Sequence, residues 1–184
     1  MTTATRPIKP TTAVKPHIVS REFNAPRELV WKVNTDPAHL EKWLGPEGVT
    51  GFTKSMDFRV GGVYHYAQRT ADGSFNAWGR MTYQEISPMD RMMVTQSFSD
   101  EDGTITTHPL APIWPKVMHW VMDFEDLGNK RTRLTITWLP VEDSSAEELA
   151  TFDSAREGMN GGWKGTFDKL ENYLAAASEE QISR

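Results

Sequence analysis

The sequence has 184 residues, 38% of them hydrophobic and 24% charged, with a formal net charge of −5. Its length fits one compact domain, and the lack of cysteine excludes disulfides, thiolate chemistry and cysteine-ligated metal centres. The negative charge argues against sequence-independent binding of nucleic acid, and no apolar run approaches the roughly 18 residues of a membrane-spanning helix.

Residues 1–16 are expected to form a disordered tail. They are rich in Thr and Pro, contain Arg6, Lys9 and Lys15 without an acidic residue, and lack the apolar core of a secretory signal. We therefore expect a cytoplasmic protein with a single domain over residues 17–177 and a short C-terminal tail over residues 178–184.

A strand at residues 18–23 and two short helices are predicted to open the domain. Pro26 suits the first turn of the first helix, where its missing N–H is not needed. Asp36 is the predicted N-cap of the second helix, followed by Pro37 at its first helical position. Leu40 and Trp43 mark the buried side of this second helix.

Apolar and polar residues then alternate from residue 49 to residue 139, which predicts an antiparallel sheet. The six predicted strands span residues 52–58, 63–69, 75–86, 92–98, 117–124 and 132–138. The alternation is clearest around Trp120 and Met122, which point to one face of the sheet while the residues next to them in the chain point to the other. If the apolar parity faces the interior, His119 faces solvent, and the same reasoning places His65 on the wet face.

The connection between residues 98 and 117 far exceeds the roughly 2–5 residues that a hairpin needs. Its three prolines keep it out of the sheet and stiffen it. Because Ile113 and Trp114 are costly to expose, we expect the segment to fold back over the sheet edge or a cavity mouth as a lid, or against a second subunit. We predict that Trp114 is largely buried and that His108 lies near the mouth.

The last predicted element is a helix of about 30 residues with one continuous apolar stripe. Ser144 and Glu147 have the spacing of a capping box at its start. Four glycines between residues 158 and 165 lower its helix propensity by roughly 1 kcal/mol each. They indicate either close packing, room for a bound molecule, or a break between two shorter helices.

The predicted order of elements is β-α-α-β6-α, an α+β domain. The long helix must cover the apolar face of the sheet, because nothing else in the chain can bury its stripe. A strongly curved sheet wrapped around one helix tends to leave a cavity between them.

Several segments resemble one branch of the SRPBCC (START-like, Bet v I-like) superfamily, the branch similar to the C-terminal domain of the activator of the heat-shock protein 90 ATPase. The resemblance covers about residues 17–176. The segments that carry it are Arg21-Glu22-Phe23-Asn24-Ala25-Pro26-Arg27-Glu28-Leu29-Val30-Trp31, Thr35-Asp36-Pro37, Trp43-Leu44-Gly45-Pro46, Asp57-Phe58-Arg59-Val60-Gly61-Gly62-Val63-Tyr64, the region from Gly79 to Tyr83-Gln84-Glu85-Ile86, and Gly158-Met159-Asn160-Gly161-Gly162-Trp163.

The resemblance implies a helix-grip fold and a small hydrophobic or amphipathic ligand in the cavity between sheet and helix. It leaves two alternatives open. One is a chaperone-associated interaction module that docks onto the heat-shock protein 90 ATPase. The other is a polyketide cyclase or dehydratase in which Asp57, Glu85 or His119 acts as acid or base. We expect no cofactor and assign no catalytic residue, and the sequence leaves a homodimer open.

Aromatic residues from several elements are the predicted ligand contacts. The cavity candidates are Trp43, Phe58, Tyr64, Tyr66, Trp78, Trp120, Met122, Met159 and Trp163. The candidate polar anchors are Arg59, His108 and His119. The five histidines lack metal-ligand spacing, and no Gly-x-Ser-x-Gly elbow indicates a hydrolase.

Overall fold

The computed structural model describes residues 8–182, with side chains described through residue 177. Its centre is a seven-stranded antiparallel sheet in the order β1-β7-β6-β5-β4-β3-β2. The strands are β1 (His17–Phe23), β2 (Val49–Met56), β3 (Val63–Thr70), β4 (Asn76–Ser87), β5 (Arg91–Ser99), β6 (Met118–Gly128) and β7 (Arg131–Pro140). The predicted α+β class and the six-stranded meander after the opening unit are confirmed.

Two short helices, α1 (Arg27–Thr35) and α2 (Pro37–Trp43), connect β1 to β2. The Asp36 carboxylate accepts a hydrogen bond from the Ala38 N–H at 2.9 Å, with Pro37 at the start of α2, as predicted. This cap satisfies one of the amide groups that the first turn of a helix leaves unpaired. Leu40 and Trp43 are both buried.

The predicted long C-terminal helix is confirmed as α4 (Arg156–Ile182), but the residues before it form a separate helix, α3 (Ala146–Ser154), so the predicted apolar stripe spans two helices rather than one. The helix is interrupted at Ala155, whose N–H donates a hydrogen bond to the Phe152 carbonyl three residues back. The small cluster around Trp114 contains Phe152 from α3 and Met159 from the start of α4, whereas Trp163, further along α4, belongs to the main core.

The capping box is one residue later than predicted. Ser145 and Glu148 form it reciprocally, at 3.2 Å from the Glu148 N–H to Ser145 Oγ and 2.7 Å from the Ser145 N–H to Glu148 Oε2. Ser144 cannot take this role because its own N–H is bonded to the Val141 carbonyl in the turn that leaves β7.

The glycines of α4 do not serve close packing at three of their four positions. A Cβ atom at Gly158, Gly161 or Gly162 would meet nothing within 4 Å, and one at Gly165 would lie 3.6 Å from Pro46 Cβ, an ordinary contact. The close-packing interpretation is therefore wrong for the first three. The helix break precedes all four glycines, so they do not produce it either.

The main core lies between α4 and the apolar face of the sheet. The alternation predicted for β6 and β7 is confirmed, since Trp120, Met122, Leu134 and Ile136 are all buried. On the helix side the buried residues are Trp163, Phe167, Leu170 and Leu174. An ion pair of 2.6 Å between Arg21 on β1 and Asp168 on α4 holds the helix across the sheet.

Residues 9–11 belong to the disordered tail expected over residues 1–16, but in the structure they are hydrogen-bonded to the chain at the end of β7 and just after it. The Thr11 N–H donates to the Pro140 carbonyl and the Glu142 N–H donates to the Lys9 carbonyl, both at 2.9 Å. Residues 1–7 of that tail lie outside the described residues. At the other end, α4 reaches Ile182, within the tail expected over residues 178–184. None of the helices between residues 8 and 182 combines the length and hydropathy that crossing a membrane requires.

Candidate functional site

A partly open cavity of about 220 Å³ lies between α4, the turn after α2 and the apolar face of the sheet. Pro46 and Gly162, both exposed, lie on the side that is open to solvent. Its apolar wall consists of Tyr66, Phe98, Trp120, Trp138, Met159 and Trp163. An apolar concave site with few polar groups is the usual form of a small-molecule pocket.

Three tryptophans build the rigid part of this wall. Trp163 on α4 meets Trp120 edge-on, with ring centroids 5.3 Å apart and planes at 82°, and meets Trp138 at 6.3 Å and 89°. Trp120 and Trp138 face each other directly across β6 and β7. Edge-to-face contacts of this kind stabilise the arrangement beyond the burial of area, so the rings are held in place before any ligand arrives.

The polar groups of the cavity are uncharged. The amide nitrogen Nε2 of Gln96 donates a hydrogen bond to Tyr66 Oη at 3.0 Å, and Thr166 Oγ1 donates to the Gly162 carbonyl at 3.0 Å. Burial raises the pKa of Tyr66, which keeps its hydroxyl protonated. Within the described part of the chain, no Asp, Glu, Lys, Arg or His lines the cavity.

Three polar atoms of the lining residues are buried without a hydrogen-bond partner among the described residues: Gln96 Oε1, Trp120 Nε1 and Trp138 Nε1. Exchanging the two amide atoms of Gln96 would still leave one of them unpaired. Buried polar atoms are rarely left unpaired, because the desolvation cost of each is about 1–3 kcal/mol. A bound molecule with matching polar groups is one way to satisfy them.

A second cavity next to the first has a volume of about 20 Å³, room for about one water molecule. Trp43, Tyr64 and Met122 line it. Burial raises the pKa of Tyr64 to about 12. These three predicted ligand contacts thus belong to the core between α2 and the sheet.

The structure places four of the nine predicted contacts on the main cavity: Tyr66, Trp120, Met159 and Trp163. Two lie outside both cavities. Phe58 is exposed at the end of β2, with its ring 6.3 Å from that of Trp31. Trp78 lies on the opposite face of the sheet, 6.0 Å from Phe52, because its parity on β4 is opposite to that of the buried Met81.

None of the three predicted polar anchors lines the cavity. Arg59 is exposed and pairs with Asp57 at 2.9 Å. His119 lies on the opposite face from Trp120, yet it is only 6% exposed, so the expectation that it faces solvent is wrong. Burial lowers the pKa of His119. His65, also expected on the wet face, is likewise buried, 3.3 Å from Ser99 Oγ.

His108 lies beside the cavity rather than in its wall. Its ring centroid is 4.4 Å from that of Phe98, which does line the cavity, and burial lowers its pKa. Its Nδ1 atom accepts a hydrogen bond from the Leu110 N–H at 3.0 Å. Its ring contacts Phe98 rather than open cavity space, and its predicted place near the mouth stays a prediction.

Trp114 is 7% exposed, which confirms its predicted burial. Its ring lies 5.7 Å from Trp138 and 5.9 Å from Phe152, so the long connection covers one end of the cavity wall. Ile113 and Leu110 are exposed, at 52% and 77%, contrary to the expectation that Ile113 would fold back with Trp114. The segment therefore packs against the rest of the domain through Trp114, the buried Pro115 and the ring of His108.

Sequence reasoning missed Phe98, Gln96, Gln68 and Trp138 as lining residues. A signal for Trp138 was present, because it shares its parity on β7 with the buried Leu134 and Ile136. Gln96 shares its parity on β5 with Met92 and Val94 in the same way. The inward parity of a strand therefore identifies both positions, provided that polar residues are not assumed to face outward.

Over residues 8–177 no cluster of three or more His, Asp or Glu side chains has the geometry to hold a metal ion. The acid–base candidates Asp57, Glu85 and His119 lie outside the lining of both cavities. The main cavity is thus suited to binding through apolar contact and neutral hydrogen bonds.

Comparison with known proteins places the chain in a family context. The family model described as "Activator of Hsp90 ATPase homolog 1-like protein" matches residues 24–175. No curated protein sequence matches the chain significantly.

Many solved structures share the fold. A solution structure of a protein from Arthrobacter aurescens is 26% identical, with a TM-score of 0.72, over 92% of this chain and 91% of that chain. A protein from Mycobacterium smegmatis is 24% identical, with a TM-score of 0.71, over 92% and 96%. The AHSA1 protein from Silicibacter pomeroyi is 19% identical, with a TM-score of 0.66, over 89% and 99%. The last two likenesses bear on the fold alone.

Proposed function

The chain belongs to the family of Activator of Hsp90 ATPase homolog 1-like proteins, and we propose that it binds a small apolar or amphipathic molecule in the cavity between the sheet and α4. The observation that carries this proposal is the cavity of about 220 Å³ walled by three mutually packed tryptophans. Its volume is below the roughly 300–1,000 Å³ of pockets for drug-sized ligands, so it suits a molecule of one or two rings.

The glycines of α4 support this proposal. Gly162 lines the cavity, and a Cβ atom there would meet nothing within 4 Å, so the helix leaves space at this position. A glycine inside a helix lowers stability by roughly 1 kcal/mol relative to Ala. The need to keep space open beside Trp163 would explain why the helix carries a glycine here despite its cost in stability.

The test compares two substitutions on the same helix. Gly162→Leu places a side chain beside the cavity, whereas Gly161→Leu, which also meets nothing within 4 Å, lies outside the lining and serves as the matched control. Flavonoids, fatty acids and aromatic polyketides are screened by thermal shift, and naphthalene is titrated by calorimetry as a minimal apolar probe.

We expect the wild type and the Gly161→Leu variant to bind naphthalene alike and the Gly162→Leu variant to bind it at least tenfold more weakly. A ligand at 100 times its Kd stabilises the native state by about 2.7 kcal/mol, which a thermal shift detects readily. The absence of any shift across the panel, or equal binding by both variants, contradicts cavity binding.

The alternative of a chaperone-associated interaction module is supported by the family description. Stimulation of the ATPase of purified heat-shock protein 90 by the full chain tests it. The Gly162→Leu variant distinguishes the two functions, because it changes the open side of the cavity and leaves every other surface residue unaltered. Under either function we propose a cytoplasmic location, which cell fractionation tests.

A further inference from the structure

The cavity combines two properties that together restrict its ligand, provided that the proposed binding function holds. The first is the lack of charge: within the described part of the chain, its polar lining side chains are Tyr66, Gln68, Gln96, Trp120, Trp138, Trp163 and Thr166, none of which is ionised at neutral pH. A carboxylate or ammonium group buried here would have no partner of opposite charge. Burying an unpaired charge is far more costly than burying a neutral polar group.

The second property is the set of unpaired hydrogen-bonding groups. Trp120 Nε1 and Trp138 Nε1 are both buried and lack a partner, and an indole N–H can only donate. The two residues are direct neighbours across β6 and β7, with ring centroids 6.2 Å apart. A ligand that satisfies them must supply an acceptor.

Gln96 adds a third unpaired group on the neighbouring strand. Its Nε2 atom is engaged by Tyr66 Oη at 3.0 Å, while its Oε1 atom is buried without a partner. The amide therefore offers an acceptor to a donor on the ligand. Because β5 is adjacent to β6 in the sheet, Gln96 lies on the same side of the cavity as Trp120 and Trp138.

From these observations we infer that the ligand is an uncharged molecule with a flat apolar body and a neutral oxygen acceptor, such as an amide or ketone carbonyl, that takes hydrogen bonds from Trp120 or Trp138. A neighbouring N–H or O–H group on the ligand donates to Gln96. A carboxylate buried inside the cavity is disfavoured, since no cation among the described residues lines it.

Three probes of nearly equal shape test this inference by calorimetry at pH 7.5. Naphthalene has no polar group, 2-naphthamide has a neutral carbonyl and an N–H donor, and 2-naphthoate has a carboxylate. We expect 2-naphthamide to bind at least tenfold more tightly than either of the others.

Two substitutions locate the preference. Trp138→Phe and Trp120→Phe each remove an N–H and retain an aromatic ring, and Trp78→Phe on the opposite face of the sheet is the control. We expect at least one of the cavity variants to lose most of the preference for 2-naphthamide over naphthalene, and Trp78→Phe to retain it. The ratio is measured within each variant, so a general loss of stability does not imitate the effect.

The outcomes separate this inference from the proposed function. Equal affinity for naphthalene and 2-naphthamide, tighter binding of 2-naphthoate, or an unchanged ratio in both cavity variants overturns the inference while cavity binding stands. Failure of all three probes to bind contradicts both.

Discussion

The phenol ring of Tyr66 lies directly over Gly79 on the neighbouring strand. The two residues are paired across β3 and β4, and a Cβ atom at position 79 would be 2.9 Å from both Cζ and Oη of Tyr66. The missing side chain lets Tyr66 reach across β4 to Gln96 on β5, where the hydroxyl and the amide meet at 3.0 Å. A glycine inside a strand often marks such a close approach.

We expect Gly79→Ala to lower the free energy of unfolding by about 1–3 kcal/mol, because the added methyl group forces the buried Tyr66 ring to move. Urea denaturation measures the change. Gly161→Ala is the control, since its methyl group meets nothing within 4 Å and should stabilise the helix by up to about 1 kcal/mol. Equal or higher stability of Gly79→Ala than of wild type would show that the Tyr66 ring moves without strain.

Trp114 is expected to carry most of the stabilising contact between the long connection and the rest of the domain. Replacing it by Ala removes the contacts with Trp138 and Phe152, and we expect a loss of about 3–5 kcal/mol in the free energy of unfolding. Ile113→Ala is the matched control: Ile113 is 52% exposed, so its change should stay within about 0.5 kcal/mol.

The Trp114→Ala and Ile113→Ala variants are also titrated with naphthalene. Since Trp138 is shared between the Trp114 cluster and the cavity wall, we expect weaker binding by Trp114→Ala and unchanged binding by Ile113→Ala. If Trp114→Ala loses stability but binds as the wild type does, the connection is structural and has no part in the cavity.

Stability should decrease when the pH falls below about 6.5, the usual pKa of histidine. Burial lowers the pKa values of His17, His108 and His119, so the unfolded chain binds more protons than the native one in that range. The contribution of these groups is complete above pH 6.5 and is lost as the pH falls through their native pKa values.

Urea midpoints measured at intervals between pH 8 and pH 5 test this dependence. In this range the carboxylates with lowered pKa values, such as Asp72 and Asp168, stay ionised in both states, so they do not contribute to the slope. His119→Gln should show a smaller decrease than wild type. A pH-independent midpoint down to pH 5 would contradict the assignment to the buried histidines.

Local pattern alone determined the order of the elements from β1 to β7, but it did not show that the C-terminal stripe is divided between α3 and α4. Period-two alternation marked the inward faces of β6 and β7 through Trp120 and Leu134, and a short polar residue followed by proline marked the start of α2 at Asp36. These features are readable because each depends on residues within one element. The apolar stripe likewise required a C-terminal helix to cover the sheet, and α4 does so.

Only the tertiary structure decided which side chains meet. Parity in the sequence separates Trp78 from Trp138, but only the packing of Trp138 against Trp163 of α4 puts it in the cavity wall. His119 has outward parity but is buried. Parity fixes the face on which a side chain lies and leaves its burial to neighbours that are distant in the sequence. The same holds for Gly79, whose role depends on Tyr66 from another strand.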